Sequence, residues 1–238
     1  MDNIFQKLFF IAECGHSHNG NIRLAKEMIW EAKSCGANAV KFQLYDTDKI
    51  KKYYQSRYSE LKWAELSKED LTELKETADK AEIDFIASAF DVERVGWLEE
   101  IGVKIHKLAS RSIYDQELIK AMEATNKPII ASLGQWKFEL EEGLNSVWPH
   151  IQNVQFLYCV SDYPAHITND IFPKDFTKYA GFSDHTIGME WTKEAVRRGA
   201  KIIEKHFTLD KHLPGYDQWG SADPTDAKDF YKWLKNVK

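Results

Sequence analysis

Cysteine is scarce in this chain of 238 residues, and the three present, Cys14, Cys35 and Cys159, follow no metal-ligand spacing. A disulfide framework or a zinc knuckle is therefore excluded, and a reducing compartment is the expectation. Long apolar runs are also missing. The stretch Leu8–Ala12 near the start is stopped by Glu13, too short for the core of a secretory signal, and no window approaches a membrane span. Charge of one sign never accumulates in a block, and the net charge is only −5. That argues against nucleic acid or an anionic membrane surface as the main partner. Proline is sparse and no low-complexity tract or linker divides the chain. What remains is a cytoplasmic globular protein with one domain over 1–238.

What the chain does contain is a regular alternation of short apolar runs and amphipathic segments. Strands are expected at Leu8–Cys14, Ala39–Leu44, Asp84–Ala89, Lys104–Ala109, Pro128–Ser132, Val154–Val160, Tyr179–Phe182 and Lys201–Ile203. Helices are expected over Asn21–Cys35, after Ser67 with its capping-box partner Asp70, from Asp91 to Gly102, and from Asp115 to Thr125. Others follow near Lys137–Val147, around Asp170–Lys178, over Glu190–Arg198 and over Ala227–Val237 behind Asp223-Pro224. The segment Ile50–Trp63 reads as irregular. Strict strand-then-helix alternation implies a parallel sheet covered by helices, and eight such units suggest closure into a (β/α)8 TIM barrel. An open doubly wound sheet is the alternative.

In such barrels chemistry lies at the rim formed by the carboxyl ends of the strands. The polar residues found there are Glu13 and His16, Lys41 and Gln43, Ser88, Lys107 with Ser110, Ser132, Ser161 with Tyr163, Ser183 with His185, and Glu204 with His206. His185 and His206 end successive strands, so they face each other across one edge, a reasonable open site for a divalent metal. Lys41 and Lys107 lie in strands that otherwise read as buried. An inward lysine is costly unless it meets an anion. The anion can be a small phosphorylated metabolite cradled by the serines, or it can be Glu13 or Glu204 inside the barrel mouth. On the first reading, removing either lysine leaves the fold at least as stable, because a buried cation has gone.

Five stretches, IAECGHSHNG at 11–20, AVKFQ at 39–43, KPIIASLG at 127–134, GFSDHTIG at 181–188 and IIEKHFTLDKHLPGYD at 202–217, resemble the sialic acid synthase family. These are the N-acetylneuraminate synthases and their legionaminate and pseudaminate relatives. The resemblance implies a (β/α)8 catalytic barrel that condenses phosphoenolpyruvate with an N-acyl hexosamine or related aldose, giving a 2-keto sugar acid and phosphate. It implies a divalent metal, Mn2+ first with Mg2+ or Co2+ as alternatives, on His185 and His206. It puts Lys41, Ser88, Lys107, Ser110, Ser132 and Ser183 around phosphoenolpyruvate, with Ser161 where an asparagine often contacts the donor. Gln43, Tyr163 and Asp217 would face the sugar, and Glu13 would be the acid/base or positioning carboxylate.

The chain departs from the family pattern on the acceptor side. Ser110-Arg111-Ser112 replaces a serine, a glycine and an acidic residue, and Gln218-Trp219 replaces more polar residues. Family members normally continue into a small antifreeze-like domain that gives an arginine to the acceptor, whereas this chain is expected to stop at the barrel. It is then expected to bind the donor but handle N-acetylmannosamine poorly. A different acceptor, a homodimer or a separate lid-domain protein would complete the site. Two further readings stay open: a different metal-dependent reaction on a related phosphorylated or acidic sugar, and a non-catalytic barrel that partners a full-length synthase.

Overall fold

The computed structural model describes residues 5, 7–50, 53–137, 148 and 153–236. Eight strands close into one barrel in sequence order, and each neighbouring pair is parallel. They are β1 (Phe9–Gly15), β2 (Ala39–Leu44), β3 (Asp84–Ala89), β4 (His106–Leu108), β5 (Ile129–Ser132), β6 (Val154–Cys159), β7 (Gly181–Asp184) and β8 (Ile202–His206). The expected (β/α)8 barrel is therefore what forms, and the open sheet is excluded.

Six of the described helices, those after β1, β3, β4, β7 and β8 and the one leading into β3, lie where the sequence signals place them. α1 (Ile22–Ser34) is capped by the Asn21 side chain, which accepts from the Leu24 amide. α2 (Thr47–Ile50) leads into the segment that reads as irregular, which carries a 3-10 turn at Gln55–Arg57 and then α3 (Tyr58–Trp63). α4 (Lys68–Lys80) opens on the Ser67–Asp70 capping box, worth about 1 kcal/mol against an alanine cap. α5 (Val92–Glu100) and α6 (Gln116–Glu123) carry Asp91 and Asp115 at their N-caps. α7 (Glu190–Arg197) and α8 (Pro224–Leu234) follow β7 and β8, and α8 has its own capping box, Asp223 with Asp226.

The segment Asp170–Lys178 is not helical, contrary to expectation. Asp175 turns its carboxylate onto the amide and hydroxyl of Thr177, a local turn that competes with a helix. Pro173 has no amide to donate, and its carbonyl is taken by Arg198. Phe172 is instead buried against Trp191 and Phe182, and the buried Phe176 packs edge-on against Phe172. The helix expected near Lys137–Val147 lies outside the described residues after Lys137.

Alternation along the strands sorts the core into two layers. Phe10, Ala12, Val40, Phe42 and their equivalents pack outward under the helices. Phe9, Ile11, Ala39, Ile86, Ile105, Ile130, Leu157 and Ile202 plug the lumen. One residue pair further along, the inward positions become charged. Gly181 lets β7 approach β8: a Cβ there would lie 1.8 Å from the Ile202 carbonyl oxygen.

Candidate functional site

Above the apolar plug, register brings the polar strand ends into one ring. Glu13 stands beside Lys41 and beside His206, Gln43 beside Ser88, Ser88 beside Lys107, and Ser183 beside Glu204. Every residue assigned to the site from sequence lines one cavity of about 480 Å³ at this rim. The set comprises Glu13, Lys41, Gln43, Ser88, Lys107, Ser110, Ser132, Ser161, Tyr163, Ser183, His185, His206 and Asp217.

At the closed end the charges are arranged pairwise. Lys41 Nζ lies 2.6 Å from Glu13 Oε2 and 3.9 Å from Glu204 Oε2, and it donates to Ser88 Oγ at 3.2 Å. Lys107 Nζ donates to Ser132 Oγ at 2.8 Å and lies 3.6 Å from Glu204 Oε1. Ser183 Oγ donates to that same oxygen at 2.9 Å, and Gln43 Nε2 donates to Glu13 Oε1 at 2.9 Å. Lys41 and Lys107 thus meet Glu13 and Glu204, the internal pairing that the sequence left open.

Proton affinities follow from this arrangement. Burial alone would lower Lys41, but Glu13 and Glu204 outweigh it and the ammonium is held upward. For Lys107 burial wins over the pull of Glu204, and its pKa falls. Burial opposes ionisation of Glu204, yet Lys107 and Lys41 bring its carboxyl down to about 2. The expectation that both lysines can be lost without harm to the fold is corrected for Lys41, whose removal strands the Glu13 carboxylate at 2% exposure.

The two histidines stand together at the other side, ring centroids 5.4 Å apart. His185 Nδ1 faces the Val160 carbonyl at 2.7 Å, so that nitrogen must be the donor and Nε2 is the one turned to the cavity. Tyr163 stacks on the His185 ring at 4.1 Å with its hydroxyl 3.1 Å from Nε2. Burial would lower His185, but Cys159 and the Val160 carbonyl outweigh it and shift it upward. Burial keeps His206 neutral despite Asp217, and its Nδ1 is buried without a hydrogen-bond partner. Among the described residues no group of three or more His, Cys, Asp or Glu side chains could hold a metal. The donor chemistry fits a divalent ion with two imidazole ligands and its other positions left to water or substrate.

The outward neighbours of these residues also pair. Asp184 and Lys205, register partners on β7 and β8, form a fully buried ion pair at 3.2 Å behind the site. Asp184 also accepts from the Thr186 amide and hydroxyl, both at 2.7 Å, which fixes the turn that carries His185.

A third group was not legible as a site. Arg57, from the segment read as irregular, donates to His16 Nε2 at 2.7 Å and grips Glu60 through bonds of 2.9 and 3.1 Å. An arginine only donates, so His16 carries its proton on Nδ1, 3.4 Å from Asp217 Oδ2. Asp217 Oδ2 is also 3.5 Å from His206 Nδ1. Burial opposes its charge, but His16, His206 and Arg57 keep its carboxyl low. Arg57 further covers the Tyr216 ring at 4.1 Å. The only sequence signal was Arg57 and Glu60 three residues apart, which is common on any helix.

The sequence profile of the NeuB family matches residues 28–238. The chain is 34% identical to the N,N'-diacetyllegionaminic acid synthase of Legionella pneumophila, over 97% of this chain and 72% of that protein. It is 36% identical to the enzyme of the same name from Campylobacter jejuni, over 98% of this chain and 77% of that one. Among solved structures, the N-acetylneuraminic acid (sialic acid) synthetase of Leptospira borgpetersenii serovar Hardjo-bovis in complex with citrate superposes with a TM-score of 0.90. That match has 34% identity and covers 99% of this chain and 87% of that one.

Proposed function

The chain belongs to the NeuB family of sialic-acid-type synthases, and on that premise we propose that it joins phosphoenolpyruvate to an open-chain N-acyl hexosamine or related aldose. The products are a 2-keto sugar acid and phosphate. The observation that carries the reading is the pair of buried lysines, Lys41 and Lys107, each bonded to a strand-end serine and facing the same cavity as His185 and His206.

Phosphoenolpyruvate brings a phosphate and a carboxylate. Lys107 with Ser132 and Ser110, and Lys41 with Ser88 and Ser183, offer the charge-assisted donors that such a dianion or trianion requires. Ser161 lies at the same wall, beside Gly134. Gln43, Tyr163 and Asp217 face the acceptor, and the Arg57–Glu60–His16 chain holds Asp217 in place. A divalent ion on His185 and His206, when bound, supplies Lewis-acid polarisation of the acceptor aldehyde. The enol carbon of the donor attacks that aldehyde carbon, water adds at donor C2 and gives up one proton while the acceptor alkoxide gains one, and the C2–O bond to phosphate then breaks, the second water proton leaving with phosphate as C2 becomes the ketone. Glu13, oriented by Gln43 and Lys41, is the carboxylate that takes the proton of the added water. Holding both reactants against one wall supplies much of the remaining rate.

The reading is tested by following phosphate release from phosphoenolpyruvate across a panel of N-acyl hexosamines, with and without Mn2+, Mg2+ or Co2+. Release that requires both an acceptor and a metal is expected. No release with any member of the panel would reject it.

A further inference from the structure

Among the described residues, the lysine and arginine side chains that line the cavity are matched by carboxylates, with one exception. Lys41 faces Glu13 and Glu204, Lys107 faces Glu204, and Arg57 holds Glu60. Arg111, next to Ser110 on the same wall, has no carboxylate within 4.0 Å and makes no hydrogen bond among the described residues. Its guanidinium carbon instead lies 4.5 Å from the centre of the Phe90 ring, 5.2 Å from Tyr54 and 5.4 Å from Tyr53.

A guanidinium stays charged at every pH a protein survives, and its five N–H donors lie in its plane. Aromatic rings attract such a group through its charge and accept none of its N–H donors as a carboxylate would. Each contact is worth about 0.5–1 kcal/mol at an exposed site, enough together to fix a side chain that would otherwise wander. The result is a held cation with an unused hydrogen-bonding fork at the mouth of a polar cavity. The two lysines deeper in the cavity start with their charge already offset by Glu13 and Glu204, so among the described side chains of the cavity Arg111 is the cation whose charge no carboxylate offsets.

We propose that Arg111 forms an oxyanion subsite for a phosphate monoester, presented either by the donor or by a phosphorylated acceptor sugar. The proposal rests on reading this cavity as the substrate site. It makes Arg111 a specificity determinant that selects a phosphate at the mouth through its bidentate fork.

Calorimetric titration of the full chain tests it, comparing wild type with Arg111→Gln and Arg111→Lys. The probes are phosphoenolpyruvate, an N-acyl hexosamine 6-phosphate and its unphosphorylated parent. Arg111→Gln is expected to weaken a phosphate-bearing probe about 10- to 100-fold and leave the parent unchanged. Arg111→Lys, which keeps the charge and loses the fork, falls between. Loss confined to phosphoenolpyruvate assigns the subsite to the donor, and loss confined to the sugar phosphate assigns it to the acceptor. Both phosphate-bearing probes within about twofold of wild type, or an equal loss for the unphosphorylated parent, overturns the subsite. Phosphate release by the same variants separates the two claims. Turnover with Arg111-independent binding sinks the subsite alone, whereas Arg111-dependent binding without turnover keeps it and sinks the synthase.

Discussion

Replacing each buried lysine by methionine separates the donor site from the fold, because the two lysines differ in what they leave behind. Lys41→Met strands Glu13 Oε2, now 2.6 Å from the ammonium, in a site where that carboxylate is 2% exposed. Gln43 still donates to the other oxygen. Breaking a buried pair on one side costs about 3–5 kcal/mol. For a domain of this size that lowers Tm by roughly 6–20 °C. Lys107→Met leaves Glu204 with Ser183 and Lys41, and it removes an ammonium whose burial already outweighs its attraction to Glu204. Its loss of stability should be clearly smaller than that of Lys41→Met, because Glu204 keeps the Ser183 hydrogen bond and a second cation. Both variants should bind phosphoenolpyruvate about 10- to 100-fold more weakly, since each loses a charge-assisted contact. Thermal unfolding gives the first comparison and calorimetric titration the second. The double variant Lys41→Met/Glu13→Gln should recover at least half of the lost stability. Equal stability of the two single variants, or no recovery in the double variant, would refute the pairing argument. Unchanged donor affinity in both would mean that the lysines serve only the internal pairs.

His185→Ala and His206→Ala should each lose the bound divalent ion and turnover while keeping the wild-type circular dichroism spectrum. Full metal occupancy of both purified variants would contradict the assignment. Gly134→Ala would set a Cβ 2.3 Å from Ser161 Oγ, 2.9 Å from Cys159 Sγ and 3.0 Å from Ser110 Oγ. It should cost about 1–3 kcal/mol in overpacking and weaken the donor, which unfolding and titration of the variant check. His18 is lowered to about 4 by burial and by His16, against the opposing pull of Asp70 and the Gly15 carbonyl. The unfolded chain takes up that proton below about 6.5, so stability should fall as pH drops from about 6.5 to 4, by about 3 kcal/mol. Urea unfolding at several pH values should show a shallower slope for His18→Gln, and an imidazole titration near 6.5 in the folded protein would contradict the claim.

The barrel was readable because its signals are local and repeated. Asn21, Ser67, Asp91, Asp115 and Asp223 cap helices where the pattern places them. Inward polar residues at strand ends could be found by counting in twos, which is why Glu13, Lys41, Lys107, His185 and His206 converge as expected. What sequence could not give is pairing across the barrel. Order and spacing left open whether Lys41 meets Glu13, Glu204 or a bound anion, and gave no sign that Asp184 and Lys205 neutralise each other behind the site. The Arg57–His16–Asp217 chain joins three segments remote in sequence, so no window contains it. At 170–178 the residues suit a short helix, but Asp175, Pro173 and the buried Phe172 and Phe176 decide otherwise.

On the proposed reaction two reactants meet in this one cavity and leave as a single longer acid and phosphate. Mass spectrometry of the mixture after incubation with phosphoenolpyruvate, a divalent ion and an N-acyl hexosamine tests it most directly. The expected result is a new 2-keto acid with the acceptor's carbons plus three, formed one for one with phosphate and absent in Lys107→Met and His206→Ala. Phosphate released without such a product, or an equal yield from either variant, would contradict it.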